Sequence, residues 1–245
     1  MVAWSADYYS GTSWPAFSPD RRLGCGSVYL HPVLKLLNKN IRLLLFLTIL
    51  LITNLESFLL LRHKSPFISD SFFYRHMVYQ YLGEDYDQAR ARVIKNLPSN
   101  GLDQISSNFF YNELSYSKTL KHFIKRPFYP WLASIIYRFT NQEYLSFLLP
   151  QFLALNIVLI TAFYLFRQGL TYPWAIISTA LLAAFSPLIE WTTYFTGDII
   201  GAGFWLLQIT LLFKLIQKPK EKNAQIIFLL TLMLSLFNRE QGLLM

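Results

Sequence analysis

Long apolar runs alternate with polar stretches along this 245-residue chain, and the lengths of the runs predict its architecture. The first run, "LLLFLTILLITNLESFLLL" at 43–61, is close to the roughly 20 residues that a membrane-crossing helix needs. Comparable runs follow at 144–166, 173–189, 199–216 and 225–240. The pattern predicts an all-α fold: a polytopic transmembrane helical bundle with five spans.

A polar stretch at 62–143 separates the first run from the second. It ends in "RPFYPWLASIIYRF", where apolar residues recur at helical spacing over too short a length to cross a bilayer. This spacing predicts an amphipathic helix at 127–139 that lies in the membrane interface. The segment "GEDYDQARARVIKNLPSNGLDQISSNFFYNELSYS" predicts one or two further helices in the same loop.

Basic residues indicate how the spans are oriented. Lys35, Lys39 and Arg42 precede the first span, and the short loop "KLIQKPKEKNAQ" after the fourth span carries four lysines. Cytoplasmic loops are enriched in Lys and Arg, so both segments are predicted to be cytoplasmic. Four crossings lie between them, as this requires. Residues 62–143 then form an extracytoplasmic first loop.

The ends of the chain differ in pattern from its middle. Residues 1–34 show no periodicity, and we interpret them as a poorly ordered leader. Residues 35–245 are the predicted membrane module. Because "REQGLLM" follows directly on a span, we expect the module to be truncated at its C-terminus.

Composition supports a multi-pass protein of the inner or plasma membrane and excludes several other classes. Hydrophobic residues make up 53% of the chain and charged residues 15%, with a mean hydropathy of +0.32. The net charge of +8 does not indicate nucleic-acid binding, because the basic residues lie between apolar runs. A single cysteine, Cys25, excludes an internal disulfide and a multi-cysteine metal site. No resident metal is predicted, although the carboxylates leave room for a divalent ion.

The predicted topology places three sets of charged residues on the extracytoplasmic side. These are Asp70 in "SPFISDSFFYRHMVYQYLG", Asp198 in "WTTYFTGDIIGAG", and Arg239 with Glu240 in "LFNREQG". Ionisable groups near the membrane are costly and mark functional sites. Asp70 is predicted in the first turn of a helix capped by Ser69, where the helix dipole favours the ionised carboxylate. Such a carboxylate accepts a proton from an attacking hydroxyl or amine.

Each of these residues also has a purely structural interpretation. Asp70 can be a capping device, Asp198 an acid at the N-terminus of a span, and Arg239 with Glu240 a solvated pair. The corresponding whole-protein alternative is a non-catalytic polytopic protein: a transporter element, a scaffold, a lipid-binding module or an inactive fragment of an enzyme. The residues alone leave these alternatives open.

Two strings carry a resemblance to a known family. "DSFFYRHMVYQYLG" and "KRPFYPWLAS", followed by paired spans, an acid ahead of the next span and a later Arg-Glu, resemble the GT-C superfamily of membrane glycosyltransferases. The likeness covers about residues 35–245. Within the superfamily it is nearest to the protein mannosyltransferases and aminoarabinose transferases.

The resemblance implies a reaction and roles for six residues. A sugar moves from a polyprenyl-phosphate donor to a lipid, protein or glycan acceptor with inversion, and Asp70 is the catalytic base. Asp198 binds the acceptor or, in some branches, a divalent metal, while Arg239 meets the phosphate of the leaving group. The remaining candidates for substrate binding are Glu240, Arg126 and Tyr74.

Overall fold

The computed structural model describes residues 39–63, 65–97 and 110–238, and within these ranges all regular structure is helical. This confirms the predicted all-α class. The predicted leader at 1–34 and the pair Arg239 and Glu240 lie outside the described residues. The chain divides into two compact units, Met1–Ile41 and Arg42–Met245, and the fold described here is that of the second.

The described ranges contain ten helices. They are α1 Lys39–His63, α2 Ser69–Tyr81, α3 Tyr86–Lys95, α4 Glu113–Phe123, α5 Phe128–Thr140, α6 Glu143–Gly169, α7 Tyr172–Ala183, α8 Ser186–Thr193, α9 Asp198–Gln217 and α10 Lys222–Asn238. By length and composition, α6, α9 and residues Ile41–His63 of α1 are able to cross a membrane. Helix α10 is apolar but shorter. Among the described residues of the polar loop, three helices, α2, α3 and α4, precede the predicted amphipathic helix, which is α5.

The span predicted at 173–189 corresponds to two helices rather than to one continuous helix. Helix α7 ends at Ala183, and α8 begins at Ser186 with a bend of 54° between the two. Together they are able to form one broken span. Pro187 lies in the first turn of α8, where its fixed φ angle and missing N–H suit the start of a new helix.

Side-chain contacts fix the relative directions of α1 and α6. Asn54 and Asn156 exchange two amide hydrogen bonds of 3.0 and 3.1 Å. The rings of Phe46 and Phe163 lie 4.7 Å apart, centroid to centroid. Because the residue number rises along one helix as it falls along the other, α1 and α6 are antiparallel.

Further contacts bring three chain segments to one end of the bundle. Gln208 of α9 donates to the Thr231 carbonyl of α10 at 3.1 Å, and Asn238 donates to the Gly197 carbonyl, so these helices are antiparallel. The Phe195 amide, just before α9, donates to the Pro66 carbonyl, just after α1, at 3.0 Å. The exit of α1, the entry of α9 and the end of α10 therefore meet.

A charged cluster fastens α2 to the start of α6 at this end. The Arg75 guanidinium donates to both carboxylate oxygens of Glu143, at 2.7 and 3.0 Å. The Tyr79 hydroxyl donates to the same carboxylate at 2.6 Å. Arg75 is only 5% exposed and its guanidinium lies 4.5 Å from the Phe67 ring centroid. The pair therefore holds α2 in a fixed position across the end of the bundle.

Helix α5 presents its apolar stripe outward. Its buried residues are Tyr129, Pro130, Ala133 and Ser134, whereas Trp131 is 48% and Phe139 87% exposed. An outward apolar stripe with tryptophan is typical of a helix in contact with lipid headgroups and acyl chains. The interfacial position of α5 stays a prediction.

Candidate functional site

Asp70 lies in the first turn of α2, as predicted, but the predicted cap is wrong. The N-cap residue is Ile68, and Ser69 is the first helical residue. The turn is closed by Ser71, whose hydroxyl accepts from the Ile68 amide at 3.2 Å. Asp70 is partly exposed.

Tyr74 follows Asp70 by four residues and therefore lies on the same face of α2. Its side chain is 3% exposed, and burial raises the pKa of Tyr74 to about 12. Arg126 opposes this rise through its charge and a hydrogen bond to the hydroxyl, while the charges of Asp198 and Asp70 add to it. The tyrosine is therefore protonated at neutral pH, and the predicted site residues Asp70, Arg126 and Asp198 each lie within electrostatic reach of Tyr74.

Asp198 is the first residue of α9. It is half-buried, and its Oδ2 accepts a hydrogen bond of 2.8 Å from the Thr196 hydroxyl two residues earlier. Asp198 thus lies at the N-terminus of a 20-residue helix. Two carboxylates on separate helices thus face one buried tyrosine.

The backbone before Asp198, residues 195–198, forms a corner held by three chain segments. Besides the Phe195–Pro66 bond, Gln151 of α6 donates to the Thr196 carbonyl. Asn238 of α10 donates to the Gly197 carbonyl at 3.0 Å. The sequence analysis did not single out Asn238 or Gln151 as site residues. Each residue is a polar amide within an apolar helix, and burial of an amide there is costly unless it is hydrogen-bonded. This feature of the sequence could have indicated that both side chains bind a specific partner.

Gly197 is required for space rather than for backbone conformation. Its φ of −79° is open to any residue, but a Cβ atom there would lie 3.3 Å from Asn238 Oδ1 and 3.6 Å from the Tyr74 hydroxyl oxygen. The first distance is shorter than an ordinary van der Waals contact. Because Asn238 is buried and already bonded to Gly197, its side chain has little freedom to withdraw.

We expect Gly197→Ala to lower the melting temperature of the purified protein, since overpacking of this kind costs about 1–3 kcal/mol. Gly203→Ala is the matched control. Gly203 lies inside α9, where alanine is favoured over glycine, and a Cβ atom there would meet its nearest atom, the Ala154 carbonyl oxygen, at 3.6 Å. Thermal unfolding in detergent compares the two. Equal melting temperatures for both variants would contradict a close approach at Gly197.

The basic residues of the first loop divide into structural groups and one group at the site. Arg90 donates to the Tyr111 carbonyl at 2.9 Å, and Arg92 is paired with Glu84. Both are therefore committed to holding the loop helices. Arg126 hydrogen-bonds to His122 Nε2 at 2.9 Å and also reaches the Tyr74 hydroxyl. Arg126 thus brings a positive charge to the Tyr74 hydroxyl.

Metal ligation is limited among the residues that the structure describes. They contain no group of three His, Cys, Asp or Glu side chains placed to hold a metal ion. Asp70 and Asp198 are the carboxylates at the site, and Glu240 lies outside the described ranges.

The arrangement combines three chemical capabilities at the end of a membrane bundle. An ionised carboxylate in the first turn of a helix is able to accept a proton. A guanidinium is suited to phosphate oxygens. A buried, protonated tyrosine between them donates a hydrogen bond without changing charge near neutral pH. Arg239 and Glu240 follow the described residue Asn238 directly in the sequence.

Comparison with known proteins gives one match. Residues 125–245 match the protein family described as dolichyl-phosphate-mannose-protein mannosyltransferase. The matched part contains Arg126, Asp198 and helices α5 to α10, whereas Asp70 and Tyr74 precede it. Neither the curated proteins nor the solved structures contain a match to the chain.

Proposed function

We propose that this chain, whose residues 125–245 match that mannosyltransferase family, transfers a sugar from a polyprenyl-phosphate donor to an acceptor at the extracytoplasmic membrane face. The observation that carries the proposal is the meeting of Asp70, Tyr74, Arg126 and Asp198 at one end of the bundle. These residues come from α2, from the segment just before α5 and from the start of α9. The acceptor is a lipid, a protein or a glycan.

Asp70 acts as the base in a single displacement. Its carboxylate takes the proton from the acceptor hydroxyl or amine as that group attacks the anomeric carbon of the donor. The bond between the anomeric carbon and the phosphate oxygen breaks, and the polyprenyl phosphate leaves with the electron pair. One displacement inverts the anomeric configuration and needs no second carboxylate as nucleophile.

The other residues bind the two substrates. Arg126 and Arg239 stabilise the negative charge of the departing phosphate through charge-assisted hydrogen bonds. Tyr74, protonated at neutral pH, donates a hydrogen bond beside Arg126. Asp198 and Glu240 bind the acceptor. In this assignment, the basic residues act on the donor and the acidic residues on the acceptor.

The orientation of the bundle follows from its basic residues. The contacts described above show α1 antiparallel to α6 and α9 antiparallel to α10. The basic residues near Arg42 and the lysines at 218, 220 and 222 lie at the ends opposite to the candidate site. With the positive-inside rule, these ends and the N-terminus are cytoplasmic and the site is extracytoplasmic.

A transfer assay tests the proposal. Purified protein in lipid nanodiscs is incubated with mannosyl, aminoarabinosyl and other hexosyl or pentosyl polyprenyl phosphates, together with membrane extracts as the acceptor source. We expect at least one donor to release polyprenyl phosphate and to yield a product of inverted anomeric configuration. Folded protein that releases none above the protein-free control would contradict the proposal, and a product of retained configuration would contradict the mechanism.

A further inference from the structure

We infer that Gln151 and Asn238 are positioning residues that set the Asp198 carboxylate for acceptor binding. The inference rests on the proposed function and deepens it. Neither amide needs to touch a substrate, because each acts on the backbone that carries Asp198. Both come from membrane helices that are distant from Asp198 in sequence, α6 and α10.

The two amides bind consecutive carbonyl groups of the same corner. Gln151 donates to the Thr196 carbonyl and Asn238 donates to the Gly197 carbonyl, at 3.0 Å in the second case. Gln151 is 0% and Asn238 1% exposed. An amide at such a position has lost its hydration, so the bond that it makes to the backbone is costly to remove.

Each amide uses only its donor side. Gln151 Oε1 and Asn238 Oδ1 are buried without a hydrogen-bond partner among the described atoms. An amide retained only for packing would be replaced by an apolar side chain of similar volume at a lower desolvation cost. Both residues instead donate to a carbonyl group of residues 195–198. This shared contact points to the corner as the reason for their presence.

The corner controls Asp198 through Thr196. The Thr196 hydroxyl donates to Asp198 Oδ2 at 2.8 Å, and the peptide planes held by the two amides lie between these residues. Rotation of either plane moves the hydroxyl and the carboxylate together. Because a misplacement of about 1 Å in a positioning group is able to cost about 10²-fold in rate, small rotations matter.

A double-mutant cycle tests the inference. Asn238→Leu and Gln151→Met remove the donors, each in the native and in the Asp198→Asn background. With Asp198 present, we expect each to lower kcat/KM for the acceptor about tenfold through a higher acceptor KM, with an unchanged donor KM. In the Asp198→Asn background, the same substitutions are expected to have no further effect, because they act through the carboxylate.

Gln208→Met is the matched control. Gln208 is also a buried amide, 2% exposed, that donates to a carbonyl of a neighbouring helix at 3.1 Å and leaves its Oε1 without a partner. It lies ten residues beyond Asp198 along α9, about 15 Å away. The control is expected to leave acceptor KM unchanged. An equal rise in the control, or losses that add to that of Asp198→Asn, would overturn the inference.

A second readout separates this inference from the proposed function. In a Cys25→Ser background, the thiol at Asp198→Cys is labelled in purified protein, and Asn238→Leu is expected to change its labelling rate severalfold while Gln208→Met does not. An unchanged rate would overturn the positioning role whatever the activity. A changed rate in a protein without any transfer activity would instead contradict the proposed function alone.

Discussion

Replacement of Asp70 by Asn is expected to lower the rate of sugar transfer by about 10²–10⁴-fold, the range that a positioned general base contributes. The amide has nearly the shape of the carboxylate but does not accept a proton from the acceptor. Binding of the donor lipid is expected to change little, since Arg126 and Tyr74 remain in place. Single-turnover transfer and equilibrium binding of the donor, measured on the same preparation, check both parts.

Asp87→Asn is the control for this substitution. Asp87 lies, like Asp70, in the first turn of a helix, but it is exposed and belongs to α3. Its substitution is expected to leave transfer unchanged. If Asp70→Asn transfers sugar at the native rate, the carboxylate is only a helix-terminal acid and the mechanism proposed here is wrong. If both variants lose activity equally, the effect is one of folding.

Replacement of Glu143 by Gln is expected to destabilise the fold by about 2 kcal/mol, as is typical for the loss of hydrogen bonds between charged groups in a half-buried pair. The substitution leaves Arg75, 5% exposed, with a neutral partner in place of a carboxylate. The Phe67 ring beneath the guanidinium remains and offsets part of the loss. Because α2 carries Asp70 and Tyr74, transfer activity is expected to be lost on heating at the same temperature at which the variant unfolds.

Glu113→Gln provides the comparison for Glu143. Glu113 also lies in the first turn of a helix, α4, but its side chain is exposed. Thermal unfolding of both variants in one detergent is the measurement. Native stability of Glu143→Gln would show that the Arg75 cluster does not fasten α2, and the placement of Asp70 by that cluster would have to be abandoned.

Hydrophobic patterning predicted the spanning helices because the bilayer imposes a length on them. Helices α1, α6 and α9 begin and end within a few residues of the predicted runs at 43–61, 144–166 and 199–216. The break at residues 184–185 was missed, since the run at 173–189 is predominantly apolar and the local mark of the break is the pair Ser186 and Pro187. Proline is tolerated inside other membrane helices, as Pro150 is in α6.

Charge patterning predicted which residues would meet. The number of crossings between the basic segments implied that Asp70 and Asp198 share one end of the bundle, and both lie within electrostatic reach of Tyr74. The Asn238 and Gln151 contacts were not predicted. Each joins a side chain to a backbone carbonyl over 41 or 45 residues, and such pairs leave no periodic trace in a single sequence.

Cysteine accessibility in sealed vesicles is the most direct test of the central claim that Asp70 and Asp198 form an extracytoplasmic site. In a Cys25→Ser background, single cysteines at Asp70→Cys, Asp198→Cys and Lys220→Cys are exposed to a membrane-impermeant thiol reagent. We expect the first two to be labelled from the extracytoplasmic side and the third to be labelled only after the vesicles are opened. Labelling of Asp198→Cys together with Lys220→Cys, and apart from Asp70→Cys, would contradict the central claim.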